Sequence, residues 1–287
     1  MGDGEPGWPG ENADPGGGAG SSGPPPPAPP PGFGYPGGAG WAQQGPPAGP
    51  YFPPGGWPSV GGPTPPSMPV PPPAERIRLA WQGRGSTDYI FAFWTALGWT
   101  VLTFGIYGFY VFYQLVRRLR DHNARRLELL DAAVAFGWEE AGRRGLQEEL
   151  TPSFQRASSH LGVLRKMTGD FRDPIIWLVL SVFASGIVHV IAFILLDRDL
   201  VSHDRAEVGV EYELTVIYGR FGQSLPLPDQ GRVKSQHNYV GRIVATFFSF
   251  GLYFLWWYHD MMVEPNRHFY TNWSQEDALV AAVQAIQ

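Results

Sequence analysis

The chain has 287 residues, a formal net charge of -5 and no cysteine. Without cysteine, disulfides, thiolate metal sites and cysteine nucleophiles are excluded, and the mildly acidic balance carries no nucleic-acid signal. Of the 29 prolines 24, and of the 37 glycines 20, fall in the first 73 residues, so the chain divides near Ala74 and leaves about 213 residues to fold, one domain's worth.

Residues 1–74 read as a disordered Pro/Gly-rich tail, because this composition cannot bury enough apolar surface to offset its ordering entropy. Runs such as Pro24 to Pro27 are expected to be polyproline II. Its isolated aromatics, Trp8, Phe33, Tyr35, Trp41, Tyr51, Phe52 and Trp57, suit a spacer or weak, multivalent contact points. The first 30 residues lack the basic start and apolar core of a signal peptide. Arginine outnumbers lysine 19 to 2, a coding bias that points to a GC-rich bacterial genome.

Residues 75–287 are expected to form an all-α membrane domain. Three apolar stretches, 89–116, 174–196 and 243–259, have charged flanks and approach the length of about 20 residues that a crossing needs. The segment 117–173 carries 11 Lys/Arg and 197–239 only five. That asymmetry places the first loop in the cytoplasm, the second outside and the C-terminus inside. With three full spans the tail is external; if span one is a re-entrant helical hairpin, the tail is cytoplasmic.

Both loops read as helical. Leu115, Leu119, Leu127, Leu130 and Val134 continue one helix face out of span one, with the RRLRDHNARR segment mostly solvated. The chain breaks after Gly145, and Thr151-Pro152 makes a helix start. Leu161, Leu164 and Met167 then extend an apolar stripe to Gly169, giving a cytoplasmic helical hairpin. Residues 204–222 fit a strand alternation or a helix face; Asp204 as cap and Gly222 as terminator favour the helix.

A segment occurs twice, 146 residues apart: TFGIYGFYVF from Thr103 and SFGLYFLWWY from Ser249. Gly105 and Gly251 fall near mid-bilayer on parallel helices and read as a helix-packing notch, with the following aromatics forming an interfacial belt. The sharper alternative is a midplane ligand site between the two glycine-interrupted helices. His189 and Arg242 are the intramembrane polar candidates, His189 as a hydrogen-bonded structural histidine near the depth of Arg242. His122 and His268 also stand 146 residues apart, so the duplication extends beyond the aromatics; both read as helix residues near the bilayer surface. No histidine spacing of the HExxH kind, phosphate loop or nucleophile elbow is present, so no catalytic residue, metal or cofactor is expected.

The TFGIYGFYVF segment with its basic helix resembles an uncharacterised bacterial membrane-domain family (domain of unknown function 4234), whose members carry a Thr-x-Gly-Ile-Tyr core. RRLELLDAA, FRDPIIW and the stretch from Asn238 to Trp273 are similar to actinobacterial hypothetical membrane proteins. The second copy departs from the family pattern at Ser249 and at Phe254-Leu255. The resemblance implies a bacterial cell (inner) membrane protein and brings no activity with it. The resulting expectation is a multi-pass, non-enzymatic structural or partner-binding component. Its partners would be the lipid bilayer and proteins docking on the cytoplasmic hairpin or tail, with homo-oligomers and no nucleic acid. The alternative is a small transporter or its accessory subunit.

Overall fold

The computed structural model describes residues 70–228 and 235–287. The expected disorder of residues 1–69 lies outside them, and helix already begins at Pro73, where a proline suits the first helical position. Every regular element among the described residues is helical: α1 (Pro73–Gln82), α2 (Arg84–Thr87), α3 (Phe93–Leu102), α4 (Ile106–Arg143), α5 (Gln147–Gly169), α6 (Pro174–Phe183), α7 (Ser185–Arg220), α8 (Tyr239–Phe248) and α9 (Leu252–Ile286). The all-α class follows.

Each of the three apolar stretches is broken in two. A ten-residue arm (α3, α6 or α8) runs into a turn, and a long helix (α4, α7 or α9) leaves it. Among the described residues no helix is long and apolar enough to cross a membrane. Contacts at the bases show that each arm folds back along its long helix. Arg118 donates to the Tyr89 carbonyl at 3.2 Å and stacks over Phe91. Arg172 pairs with Asp199, and Arg242 Nη2 lies 2.6 Å from Asp260 Oδ2. The three stretches are therefore helical hairpins, and span one takes the hairpin form of its two readings.

The long helices start at the hairpin tips and meet in two successive layers. Nearer the tips, Phe112 of α4 lies 4.2 Å from the His189 ring of α7, and Phe193 packs on Phe254 and Trp257 of α9. Further along, the rings of His122, His203 and His268 converge at 5.2 to 5.9 Å. Two layers in the same order put all three tips at one end.

Two apolar cores result. One is built from the hairpins, with Phe112, Leu115, Val116, Phe193, Leu196, Trp257 and Met262. The other lies beyond the histidines, where Leu130, Ala133 and Phe136 of α4 meet Phe154, Ala157 and Leu161 of α5, Val210, Leu214 and Ile217 of α7 and Leu279 and Val283 of α9. The charge asymmetry of the sequence places residues 117–173 and 197–239 on opposite faces of a membrane, and the structure corrects this. Both segments share this second core, and Arg156 of α5 pairs with Glu213 of α7 at 2.6 Å. One dry core cannot be split across a bilayer, so the two segments lie on the same side of any membrane.

Local expectations fare unevenly. α4 does continue for 38 residues, and α5 returns along it after Gly145, whose φ of +69° makes the turn. α5 starts at Gln147, however, and leaves Pro152 inside its second turn. The segment 204–222 is helical and ends at Gly222 (φ +81°), but Asp204 is a buried interior residue of α7, not a cap. RRLRDHNARR is not mostly solvated: Arg118, His122, Asn123, Arg125 and Arg126 are buried.

Candidate functional site

The duplicated segment is a turn, and both copies close it with the same bonds. Gly105 N–H donates to the Thr100 carbonyl at 2.8 Å and Phe104 N–H to Val101 at 3.1 Å; Gly251 donates to Thr246 at 2.8 Å and Phe250 to Phe247 at 3.2 Å. This six-to-one and five-to-two pairing ends a helix through a left-handed residue. The hydroxyl then starts the next helix: Thr103 Oγ1 accepts from Tyr107 N–H at 2.9 Å, and Ser249 Oγ from Tyr253 N–H at 2.8 Å. Thus hydroxyl-Phe-Gly-Ile/Leu-Tyr encodes a reversal of direction.

Gly105 and Gly251, at φ +91° and +88°, are needed for that backbone, and nothing lies within 4 Å of where a Cβ would stand on either. They make no close helix contact, which corrects the packing-notch expectation. In the first hairpin the glycine that does approach its neighbour is Gly108, where a Cβ would lie 3.2 Å from the Thr100 methyl. Phe104 and Phe250 adopt φ of 51° and 52° and are 97% and 99% exposed. A left-handed aromatic residue costs about 1–2 kcal/mol, and at neither tip does protein packing offset it. The hairpin of α6 and α7 turns at Ala184 (φ -138°) and presents Phe183, 84% exposed.

His189 and Arg242 have separate partners. His189 Nδ1 donates to the Ser185 carbonyl at 2.6 Å, one turn from the tip. Arg242 is held at the base of the third hairpin by Asp260 and stacks over Trp257.

Between the two cores lies a buried polar layer that sequence reasoning missed. Arg125 bonds Asp88 (2.7 Å), Glu276 (2.8 Å) and Thr87 (2.9 Å). Arg126 bonds Glu207 (2.7 Å) and Glu276 (3.2 Å) and also holds Glu211. Arg118 donates to Asn266 Oδ1 (2.8 Å) and to the carbonyls of Met261 (2.7 Å) and Met262 (3.1 Å); burial pushes its guanidinium down to about 9, still charged at neutral pH.

At the centre of this layer stand His122 from α4, His203 and Glu207 from α7 and His268 from α9, all buried, with one potential ligand atom each lying within 4.8 Å of the others. His203 and Glu207 share a helix face four residues apart. His122 and His268 occupy the same position after their respective turns, 17 residues beyond Gly105 and Gly251. Nδ1 of His122 lies 2.9 Å from Asp88 Oδ1, and Nδ1 of His268 lies 3.3 Å from Asp204 Oδ1. Burial pushes the His122 imidazole down to about 3 despite Asp88, leaving it neutral with Nδ1–H on the carboxylate. Burial alone would raise Glu207, but His203 and Arg126 outweigh it and hold the carboxylate well below its usual range. Four such residues can hold a cation. A smaller group, Asp197, His237 and Glu264, lies at the hairpin bases, where Tyr239 also donates to Asp197 at 2.6 Å. The signal for the main cluster was the shared 146-residue offset of His122 and His268; no spacing joins either to His203.

No protein-family model, curated protein or solved structure matches this chain.

Proposed function

We propose that this protein is a bacterial cell-membrane component embedded in one leaflet by its three helical hairpins. Its helical body would stand in the cytoplasm as a structural or partner-binding platform. The observation that carries this reading is the set of three apolar arms, each ten residues long, whose tips share one end and expose Phe104, Phe183 and Phe250. Ten helical residues reach about 15 Å, half of a hydrocarbon core of about 30 Å.

The side chains along the arms agree. Trp94, Val101, Leu102, Ile175, Val182, Val240, Phe247 and Phe248 are all more than half exposed, a density that water disfavours and lipid accepts. Charges begin on each long helix at Arg117, Asp197 and Asp260, about 12–18 Å from the tips. Within each arm the backbone bonds are internal, as hydrocarbon requires. The arginine-rich segment 117–173 favours the cytoplasmic leaflet.

The chain has no native cysteine, so single thiols can be placed at will. Glu148→Cys and Tyr212→Cys, both exposed, lie in the two segments once read as opposite loops. In right-side-out and inverted vesicles, a membrane-impermeant maleimide should label both from the cytoplasmic face only. Labelling from opposite faces would sink the single-leaflet reading, and a chain that stays in the supernatant when membranes are floated would sink the membrane reading altogether.

A further inference from the structure

We propose that His122, His203, His268 and Glu207 bind one divalent first-row transition ion, zinc foremost, as a closed structural centre that ties α4, α7 and α9 together. The proposal is independent of the membrane reading.

The imidazoles are set as metal ligands are set. A ligating histidine almost always gives its other ring nitrogen to a carboxylate or carbonyl, which fixes its tautomer and aim. His122 does so with Asp88, and His268 Nδ1 lies 3.3 Å from Asp204 Oδ1, so both rings carry Nε2 on the side of the centre. His268 Nε2 lies 3.3 Å from Glu207 Oε2, while Arg126 occupies the other carboxylate oxygen. One glutamate oxygen therefore faces inward beside the imidazoles.

Protein atoms alone leave this centre under-satisfied. His203 is fully buried, yet neither ring nitrogen has a hydrogen-bond partner; its Nε2 is 3.2 Å from Glu207 Oε1 but off the hydrogen-bonding line. Asn272 Nδ2 lies 3.0 Å from Glu207 Oε2, 3.1 Å from His268 Nε2 and 3.4 Å from His122 Nε2, so two N–H donors face three acceptors. Its own Oδ1 is buried without a partner. A buried orphaned polar group calls for a missing water or ion.

Ligand chemistry selects the ion. Three imidazole nitrogens and one carboxylate suit zinc and its first-row neighbours, whereas magnesium and calcium take oxygen ligands. Tetrahedral ligand atoms at about 2.0–2.1 Å from zinc stand roughly 3.3 Å apart. The present separations, up to 4.8 Å, thus require each side chain to close in by about 1 Å. Because all four groups are buried and come from three helices, the ion would serve architecture and not an open catalytic position.

The test uses the full chain in detergent, stripped with a chelator and titrated with zinc. One zinc per chain is expected by elemental mass spectrometry, together with a rise in Tm. His203→Asn and Glu207→Gln should each weaken zinc binding by roughly 100-fold or more, beyond the 10–100-fold typical of residues behind the ligands, while His237→Ala leaves it unchanged. If His203→Asn does not fold, cobalt replaces zinc in the wild-type chain, and intense visible bands of a tetrahedral nitrogen-rich site support the assignment. Folded wild-type protein that takes up neither ion overturns it. So does a wild-type chain that takes up cobalt without those tetrahedral bands. Undiminished binding in a folded His203→Asn chain, or loss of binding in His237→Ala, overturns it too.

Discussion

The hairpin half and the body half of this molecule are made from the same three helices, yet they treat apolar side chains in opposite ways. Past the histidines, Leu129, Ala133, Val210 and Ile217 are almost completely buried against α5 and α1. Toward the tips the same helices leave Ile106, Ile187 and Leu252 about 70% exposed. Apolar content alone does not distinguish the halves; the number of neighbours around each helix does. A helix stays dry in water only where others surround it, whereas the paired arms cover just one side of each long helix. The polar layer sits at the change-over.

The comparison breaks most sharply if the layer between the halves is disarmed. Arg126→Met removes a guanidinium that pairs with Glu207 and Glu211 and one of the two arginines on Glu276, all buried. Removing one member of a buried ionic cluster costs about 3–5 kcal/mol. Thermal unfolding followed by circular dichroism should show the body losing most of its stability, with membrane flotation retained if the arms insert on their own.

The second test acts on the other half. Phe104→Asp and Phe250→Asp place a carboxylate at the tips, at about 3 kcal/mol each for insertion into hydrocarbon. Vesicle flotation should fall while the melting temperature in detergent hardly moves. A drop in Tm without loss of flotation would mean that the tips serve packing after all.

Smaller effects come from the turns themselves. Gly105→Ala and Gly251→Ala should each cost about 1–2 kcal/mol, because an alanine is forced into a left-handed conformation. Gly98→Ala, in the middle of α3 with open space beside it, should instead be neutral or stabilising by up to about 1 kcal/mol. Smaller again is Thr103→Val, which loses the acceptor for Tyr107 N–H and should cost about 0.5–1 kcal/mol. Denaturant titrations of these variants separate backbone conformation from helix contact as the reason for the glycines.

Much of the helical content was legible because periodicity reports local amphipathicity directly. The continuation of α4 came from that signal, whereas the return of α5 after Gly145 and the helix ending at Gly222 came from their glycine terminators. The breaks in the spans were not legible, since hydropathy averages over a window and cannot see the left-handed pair at Phe104 or Phe250, or the turn at Ala184, inside it. The repeated Phe-Gly reads as a packing notch in the sequence, but glycine permits both close approach and positive φ, and sequence cannot say which is used. The buried arginines were misread because a run such as RRLRDHNARR looks solvated unless its buried carboxylate partners, 37 to 151 residues away, are known. The His cluster was hidden for the same reason: its members come from three helices, and only the equal offset of His122 and His268 hinted at it.

That 146-residue repeat is equal in its turns and unequal further down. Where the first copy carries Arg118 and Arg126, the second carries Glu264 and Asn272, and Glu276 stands opposite Leu130. The helix of the first copy is the donor of the pair and that of the second the acceptor, for Arg118 reaches Asn266, and Arg125 and Arg126 both reach Glu276. The two segments are thus not interchangeable modules. A chain assembled from two first copies would set guanidinium against guanidinium in a dry interior. One assembled from two second copies would do the same with carboxylates. Only the mixed pair closes, which ties each half of the duplication to the presence of the other.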